Sequence, residues 1–218
     1  MINEAEQLPE SVMRAWQAGA HEVVVVDGGS TDSTKEIATG LECVLTTSPR
    51  GRALQLNHGA TAASGDVLLF LHADNWLIAD ACDQIQELFQ TTGHLFGGFR
   101  QEIQNPRKPF RWIESGNAFR LRRQGLIYGD QAMFVHRELF EKIGGFPEIE
   151  LMEDFEISRL LKPHGKPALL KGPTYVSARR WERVGWFRQT ALNWSLSTAY
   201  RWGASPAWIA RQYRRHDK

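Results

Sequence analysis

Two apolar runs constrain this chain more than any other feature. Val23-Val24-Val25-Val26 passes into Asp27-Gly28-Gly29-Ser30-Thr31-Asp32, and Val67-Leu68-Leu69-Phe70-Leu71 passes into His72-Ala73-Asp74. Neither run alternates and the first is wholly β-branched, the pattern of strands buried on both faces in a parallel sheet covered by helices. Acids at the ends of such strands lie where open α/β sheets bind ligands. Asp27-Gly28-Gly29-Ser30 makes a tight turn, and Ser30 or Asp32 caps a helix expected from near Ser33 through Ile37. Strand, glycine turn and helix N-terminus suit an anionic ligand, although Asp-Gly-Gly is equally ordinary turn chemistry. No Gly-Lys-Ser/Thr follows and Gly-x-Gly-x-x-Gly is absent there, which excludes the P-loop and the dinucleotide fingerprint.

With 218 residues and 42% hydrophobic content, the chain can bury one sizeable core without dividing. Cys43 and Cys82 stand outside any Cys-x-x-Cys pattern. They read as small buried hydrophobes and as reduced thiols of a cytoplasmic protein. The apolar stretches are far shorter than the roughly 20 residues of a membrane-spanning helix. No signal-peptide core follows Met1.

Asn3-Glu4, the Asp27–Asp32 turn, Gly51-Arg52-Ala53-Leu54-Gln55-Leu56-Asn57, His72-Ala73-Asp74 and Glu153-Asp154 occur in that order. Together they resemble a family 2 glycosyltransferase from residue 2 to about residue 185. The resemblance implies α/β architecture of the GT-A type, Rossmann-like, with a mostly parallel sheet and flanking helices. It also implies inverting transfer from a nucleotide sugar.

Carried over position by position, the resemblance puts Asn3, Glu4, Asp27, Gly28 and Gly29 around the nucleoside, and Arg52 near its phosphates. A guanidinium can hold phosphate there by paired hydrogen bonds. Asp74 matches the last acid of the family's Asp-x-Asp motif and is the expected ligand of Mg2+ or Mn2+, hard ions that prefer carboxylate and phosphate oxygens. His72 takes the place of the first acid; it binds metal, touches ribose or fills space, with a non-ligand role preferred. Asp154 corresponds to the general base, at the start of a short helix marked by Phe155, Ile157, Leu160 and Leu161. Acids in a first helical turn otherwise answer the helix dipole.

Ser177-Ala178-Arg179-Arg180-Trp181 is similar to the Gln-x-x-Arg-Trp motif of processive synthases, with serine in place of glutamine. On that likeness Arg180 would stabilise the departing diphosphate and Trp181 would close over acceptor or donor; a solvated basic loop is the competing reading. Gly97-Gly98-Phe99, Asp130 and Gln131 fall where family members build the acceptor wall. Asp130 and Gln131 either bind hydroxyls or are satisfied turn polars.

Residues 186–218 read as a helical extension beyond a GT-A domain at 1–185. From Arg179 onward nine Lys/Arg face only Glu182 and Asp217, in a chain whose net charge is +1. Five tryptophans fall in the same stretch, and Phe187, Ala191, Trp194, Thr198 and Trp202 follow helical spacing. Such a tail either rests peripherally on an anionic membrane, bringing the site to a lipid-linked or carotenoid-like acceptor, or packs over the sheet or into a homodimer. With no recognised nucleic-acid module, nucleic acid is not expected as a partner.

Family members carry a β-strand directly before Asn3-Glu4, and only Met1 and Ile2 stand there here. The expectation is that this first strand is missing, through an upstream start or through truncation. UDP- or GDP-sugar is the expected donor. The alternatives are an impaired nucleotide-binding protein and a nucleotidyltransferase.

Overall fold

The computed structural model describes residues 1–216. After an N-terminal loop come α1 (Leu8–Gln17), with Pro9 in its first turn, β1 (Val24–Asp27), α2 (Thr34–Thr39) and β2 (Val44–Thr47). They are followed by α3 (Arg52–Ala62), β3 (Val67–Leu69), β4 (Asn75–Leu77) and α4 (Ala81–Thr91). The middle of the chain supplies β5 (Phe96–Ile103), α5 (Lys108–Gln124), β6 (Phe134–His136) and α6 (Arg137–Lys142). The last third holds α7 (Glu153–Leu161), β7 (Ala168–Val176), α8 (Arg179–Val184), α9 (Trp186–Arg201) and α10 (Pro206–His216).

Parallel pairing joins β1 to β2, with Val24 opposite Val44 and Asp27 opposite Thr47. A five-stranded sheet runs in the order β3-β6-β5-β7-β4. Within it β5 and β7 are parallel, whereas β3–β6, β5–β6 and β4–β7 are antiparallel. The expected α/β class holds, with a sheet that is mixed rather than mostly parallel. Apolar runs report burial on both faces and carry no information on strand direction, so the antiparallel neighbours were not legible in them. Met1 flanks β1 near its end: its amine donates to the Val26 carbonyl at 2.7 Å and its carbonyl accepts the Gly28 N–H at 2.9 Å.

The larger sheet is clothed on both faces. Phe96, Leu121, Ile127, Val135, Ile157 and Leu161 form one buried cluster, and Leu77, Ala81, Ile85, Phe99 and Phe134 form another. Leu8, Val12, Val25 and Ala38 fill the space between α1, α2 and β1. A β-carbon on Gly97 would overlap the Ala168 carbonyl and the Phe134 ring, and one on Gly98 would meet Ile127 and the Gln131 carbonyl. These two glycines of β5 therefore serve close packing of backbone, the reason glycine occurs inside strands.

α9 buries Gln189 and Leu196, and α10 buries Ile209 and Ala210. α10 starts at Pro206, a proline in the first turn, with the Trp208 N–H donating to Ser205 Oγ at 3.3 Å. Among the described residues no helix is long and apolar enough to cross a membrane.

Candidate active site

The N-terminal loop is fastened to the turn after β1. Asn3 Oδ1 accepts the Thr31 N–H at 2.9 Å, while the Asn3 and Glu4 N–H groups donate to Ser30 Oγ (2.9 Å) and Thr34 Oγ1 (3.0 Å). Asp27 is buried, and its carboxylate accepts the Gly29 and Ser30 N–H groups and pairs with Lys35 at 3.4 Å. Burial alone would push its pKa up; the hydrogen bonds from Ser30 and Gly29, with Lys35, bring it below the ordinary carboxylate value. Both carboxylate oxygens are engaged by the turn, Oδ2 by Gly29 and Ser30 and Oδ1 by Ser30. A β-carbon on Gly28 would collide with the Gln55 amide, so a side chain there requires Gln55 to move.

Arg52 stands exposed in the first turn of α3 and reaches a buried acid. Its Nε lies 3.0 Å from Oε1 of the buried Glu153, and its Nη2 lies 2.5 Å from His72 Nε2. Burial, the Arg52 guanidinium and Arg180 hold the His72 pKa well below its usual value, so the ring is neutral and accepts from Arg52. Burial raises the Glu153 pKa and Arg52 opposes that rise.

Asp154, one residue further into α7, accepts the Gly129 N–H on Oδ2 at 3.1 Å and the Phe155 N–H on Oδ1 at 2.7 Å. A β-carbon on Gly129 would overlap both His72 Nε2 and Arg52 Nη2. This glycine is thus where the three parts meet. The turn it belongs to is held from below by Ser158, whose Oγ accepts the buried Ile127 N–H at 2.9 Å. Gln131 Oε1 accepts the Tyr128 N–H and an Arg120 N–H at 2.8 Å, and Arg120 also lies 3.5 Å from the centre of the Tyr128 ring. Gln131 therefore closes the turn, while Asp130 keeps one buried oxygen without a partner. Burial raises the Asp130 pKa, against the pull of Arg120 and Gln101.

Opposite these lies the 177–181 segment. Arg180 meets Tyr213 of α10, with its guanidinium 5.0 Å from that ring's centre. Trp181 packs edge-on against Phe110 at 6.1 Å in a small core cluster instead of standing free over the cleft. Asp74 is exposed and lines a cleft of about 450 Å³ together with Glu10, Arg14, Ser177, Arg179 and Glu182. Glu4 has its pKa raised by burial and by the nearness of Asp74, with Arg179 opposing.

Among the described residues, three non-glycine residues adopt positive φ: Asn3 (55°), Ala132 (46°) and Met152 (76°). Each directly adjoins a residue named above, and strained backbone of this kind concentrates at functional sites. Acids from two chain segments, a neutral histidine, an exposed arginine paired to a buried acid and a second arginine thus lie near strand and helix ends.

A family profile described as glycosyl transferase family 2 matches residues 1–144. The chain belongs to glycosyl transferase family 2. Its enzyme class is accordingly glycosyltransferase. Curated relatives from Mycobacterium bovis and Mycobacterium tuberculosis, each called a PGL/p-HBAD biosynthesis glycosyltransferase, are 28% identical over 211 residues, covering 88% of this chain and 78% of theirs. Among solved structures, S. aureus TarS superposes with a TM-score of 0.67 at 16% identity over 81% of this chain. The chain spans only 35% of that protein's length. A mannosyltransferase from Pyrobaculum calidifontis, solved with GDP-Man and Mn2+, gives 0.59 at 22% identity over 95% of this chain and 64% of its own. These likenesses show the fold.

Set beside the family pattern, the geometry gathers Arg52, His72, Asp154 and the 129–131 turn; Asp74 lines the cleft beside Arg14 and Arg179, with Glu4 near it, and Asn3 is fastened to the turn after β1. Among the described residues there is no group of three His, Cys, Asp or Glu that could hold a metal ion. His72 Nε2 is committed to Arg52, which takes up the lone pair a metal ion would need. The exposed Asp74 carboxylate still fits a hard ion that takes its other ligands from diphosphate and water, the usual arrangement for Mg2+. Glu153, Arg120 and Ser158 escaped the sequence reading. Glu153 looked like a dipole-complementing acid, and the contacts of Glu153 with Arg52 and of Ser158 with Ile127 join residues far apart in sequence.

Proposed function

We propose that this member of family 2 is an inverting glycosyltransferase that moves a sugar from a UDP- or GDP-sugar to an acceptor hydroxyl. The observation that carries the reading is the anchored carboxylate of Asp154, fixed on both oxygens by backbone N–H groups beside the Arg52–His72 pair. Asp154 takes the acceptor's proton as that oxygen forms its bond to the anomeric carbon. The bond from that carbon to the phosphate oxygen breaks, and its electron pair leaves with the nucleoside diphosphate. Arg52 and Arg180 are preorganised positive charge for the leaving group. Asp74 would hold Mg2+ or Mn2+, which when bound supplies further charge neutralisation at the diphosphate. Asn3, Glu4 and Asp27 border the nucleoside; the TarS and mannosyltransferase structures, solved with UDP-GlcNAc and GDP-Man, support the two candidate bases. The acceptor is read as a lipid-linked or carotenoid-like hydroxyl, brought to the site by peripheral membrane contact.

Thermal-shift titration with UDP and GDP, with and without manganese, tests the donor site, because binding to the native state raises stability. Donor-sugar hydrolysis tests the base. Asp154→Asn is expected to keep nucleotide binding and to lose about 10²–10⁴-fold in turnover, the usual worth of a positioned base. Asp74→Ala is expected to lose the manganese-dependent part of the shift. Wild-type turnover in Asp154→Asn would overturn the assignment.

A further inference from the structure

The outward faces of α5 and α9 take no part in the chemistry above. The two helices run side by side in the same direction. Phe110 in the first turn of α5 meets Trp181 just ahead of α9, and at the far end Arg201 donates to Gln124 Oε1 at 2.7 Å. Each turns an inner face to the core, through Phe110 and Leu121 in α5 and through Gln189 and Leu196 in α9. The outer faces carry large aromatics in the open. Trp112 is 71% exposed, Phe119 59%, Phe187 68% and Trp194 68%, while Trp202 at the end of α9 reaches 88%. Residues 112 and 119, like 187 and 194, are two turns apart and so share a face. Exposed aromatics aligned in this way mark a contact surface rather than scattered surface apolars.

Charge decides what this surface fits. The only acid of α5, Glu114, is buried, and α9 has none. Lys108, Arg122, Arg123, Arg188 and Arg201 are all exposed. Aromatics interleaved with cations, and no exposed carboxylate among them, complement an anionic headgroup layer. A second copy docked face to face would bring the same cations together with no acid to answer them.

We propose that the α5–α9 face seats the protein on an anionic membrane surface. The proposal deepens the lipid-linked acceptor reading and rests on it only for its purpose. The Tyr128 hydroxyl is hydrogen-bonded to Ser197 of α9 at 2.8 Å, so the seat and the turn that holds Asp154 form one connected unit. The seat differs from the one expected of the whole tail, since α10 turns Ile209 and Ala210 into the body.

The test is co-sedimentation of the full chain with phosphatidylcholine vesicles, with and without phosphatidylglycerol. Association is expected only with phosphatidylglycerol present, and is expected to weaken as salt rises. Phe119→Ser/Trp194→Ser/Trp202→Ser is expected to lower partitioning at least about tenfold. Arg122→Glu/Arg123→Glu is expected to lower it about twentyfold or more, since each basic residue near an anionic surface is worth about fivefold. Trp208→Ser on α10 is the control and is expected to bind as wild type. Unchanged melting temperatures would show that all variants fold. Three results would overturn the proposal: no association with anionic vesicles, association indifferent to both variants, or a solution dimer abolished by the aromatic variant. Nucleotide-induced thermal shifts read on the same samples keep failure of the seat distinct from failure of the enzyme reading.

Discussion

Gly129 offers the sharpest test of how the site is assembled. Its N–H holds Asp154, and its α-carbon leaves no room for a methyl group beside His72 Nε2 and Arg52 Nη2. The backbone there lies outside the left-handed region, so the cost of Gly129→Ala comes from space alone. Both obstructing atoms are ends of side chains, which yield before backbone does; overpacking of this kind costs about 1–3 kcal/mol. In a chain of this length that lowers the melting temperature by about 2–4 °C per kcal/mol. Displacing Arg52 from His72 also removes a hydrogen bond involving a charged group, worth about 1.5–3 kcal/mol of stability, and moves the guanidinium assigned to the diphosphate, so binding of the nucleoside diphosphate is expected to weaken. Because the ring of His72 is one of the two obstructions, His72→Ala relieves part of the clash. Urea unfolding of the two single variants and the double variant is then expected to give a double variant more stable than the sum of the singles by about 1 kcal/mol or more. Additivity within about 0.3–0.5 kcal/mol would refute the reasoning.

Ser158→Ala leaves the buried Ile127 N–H without an acceptor and is expected to cost about 1–3 kcal/mol in urea unfolding, with turnover falling more than nucleotide affinity, because the 127–131 turn positions Asp154. His72 titrates lower in the folded protein than in the unfolded chain, so the unfolded state binds protons first. Its contribution to stability is therefore unaltered above the unfolded value of about 6.5 and declines below it, by up to about 1.4 kcal/mol per pH unit, until the folded ring also protonates. Stability against pH measured for wild type and His72→Ala is expected to show a shallower acid slope in the variant.

Much of the catalytic side was legible in the order of residues. β1 and β3, the helix from Thr34, α7 with acids at its start and α10 opened by Ser205-Pro206 all follow from short-range signals: β-branched runs, a glycine turn, helical spacing and first-turn proline. Arg52 and Asp154 stand out as charged residues at element ends in the family's order. The partners they acquire do not. Glu153 is indistinguishable in sequence from Asp154 or Glu156, yet it is the one that enters the core and pairs with Arg52.

What the sequence determined by itself was the class of fold and the chemical types at its strand ends, because backbone propensity and burial periodicity are local properties. The tertiary structure alone decided strand direction in the mixed sheet, the capture of His72 by Arg52, the role of Gly129 and the inward or outward turn of each tail aromatic. Those depend on which surfaces meet across long stretches of chain. Helical spacing groups Phe187, Trp194 and Trp202 on one face of a helix, and only the packing of α9 on the domain turns that face outward.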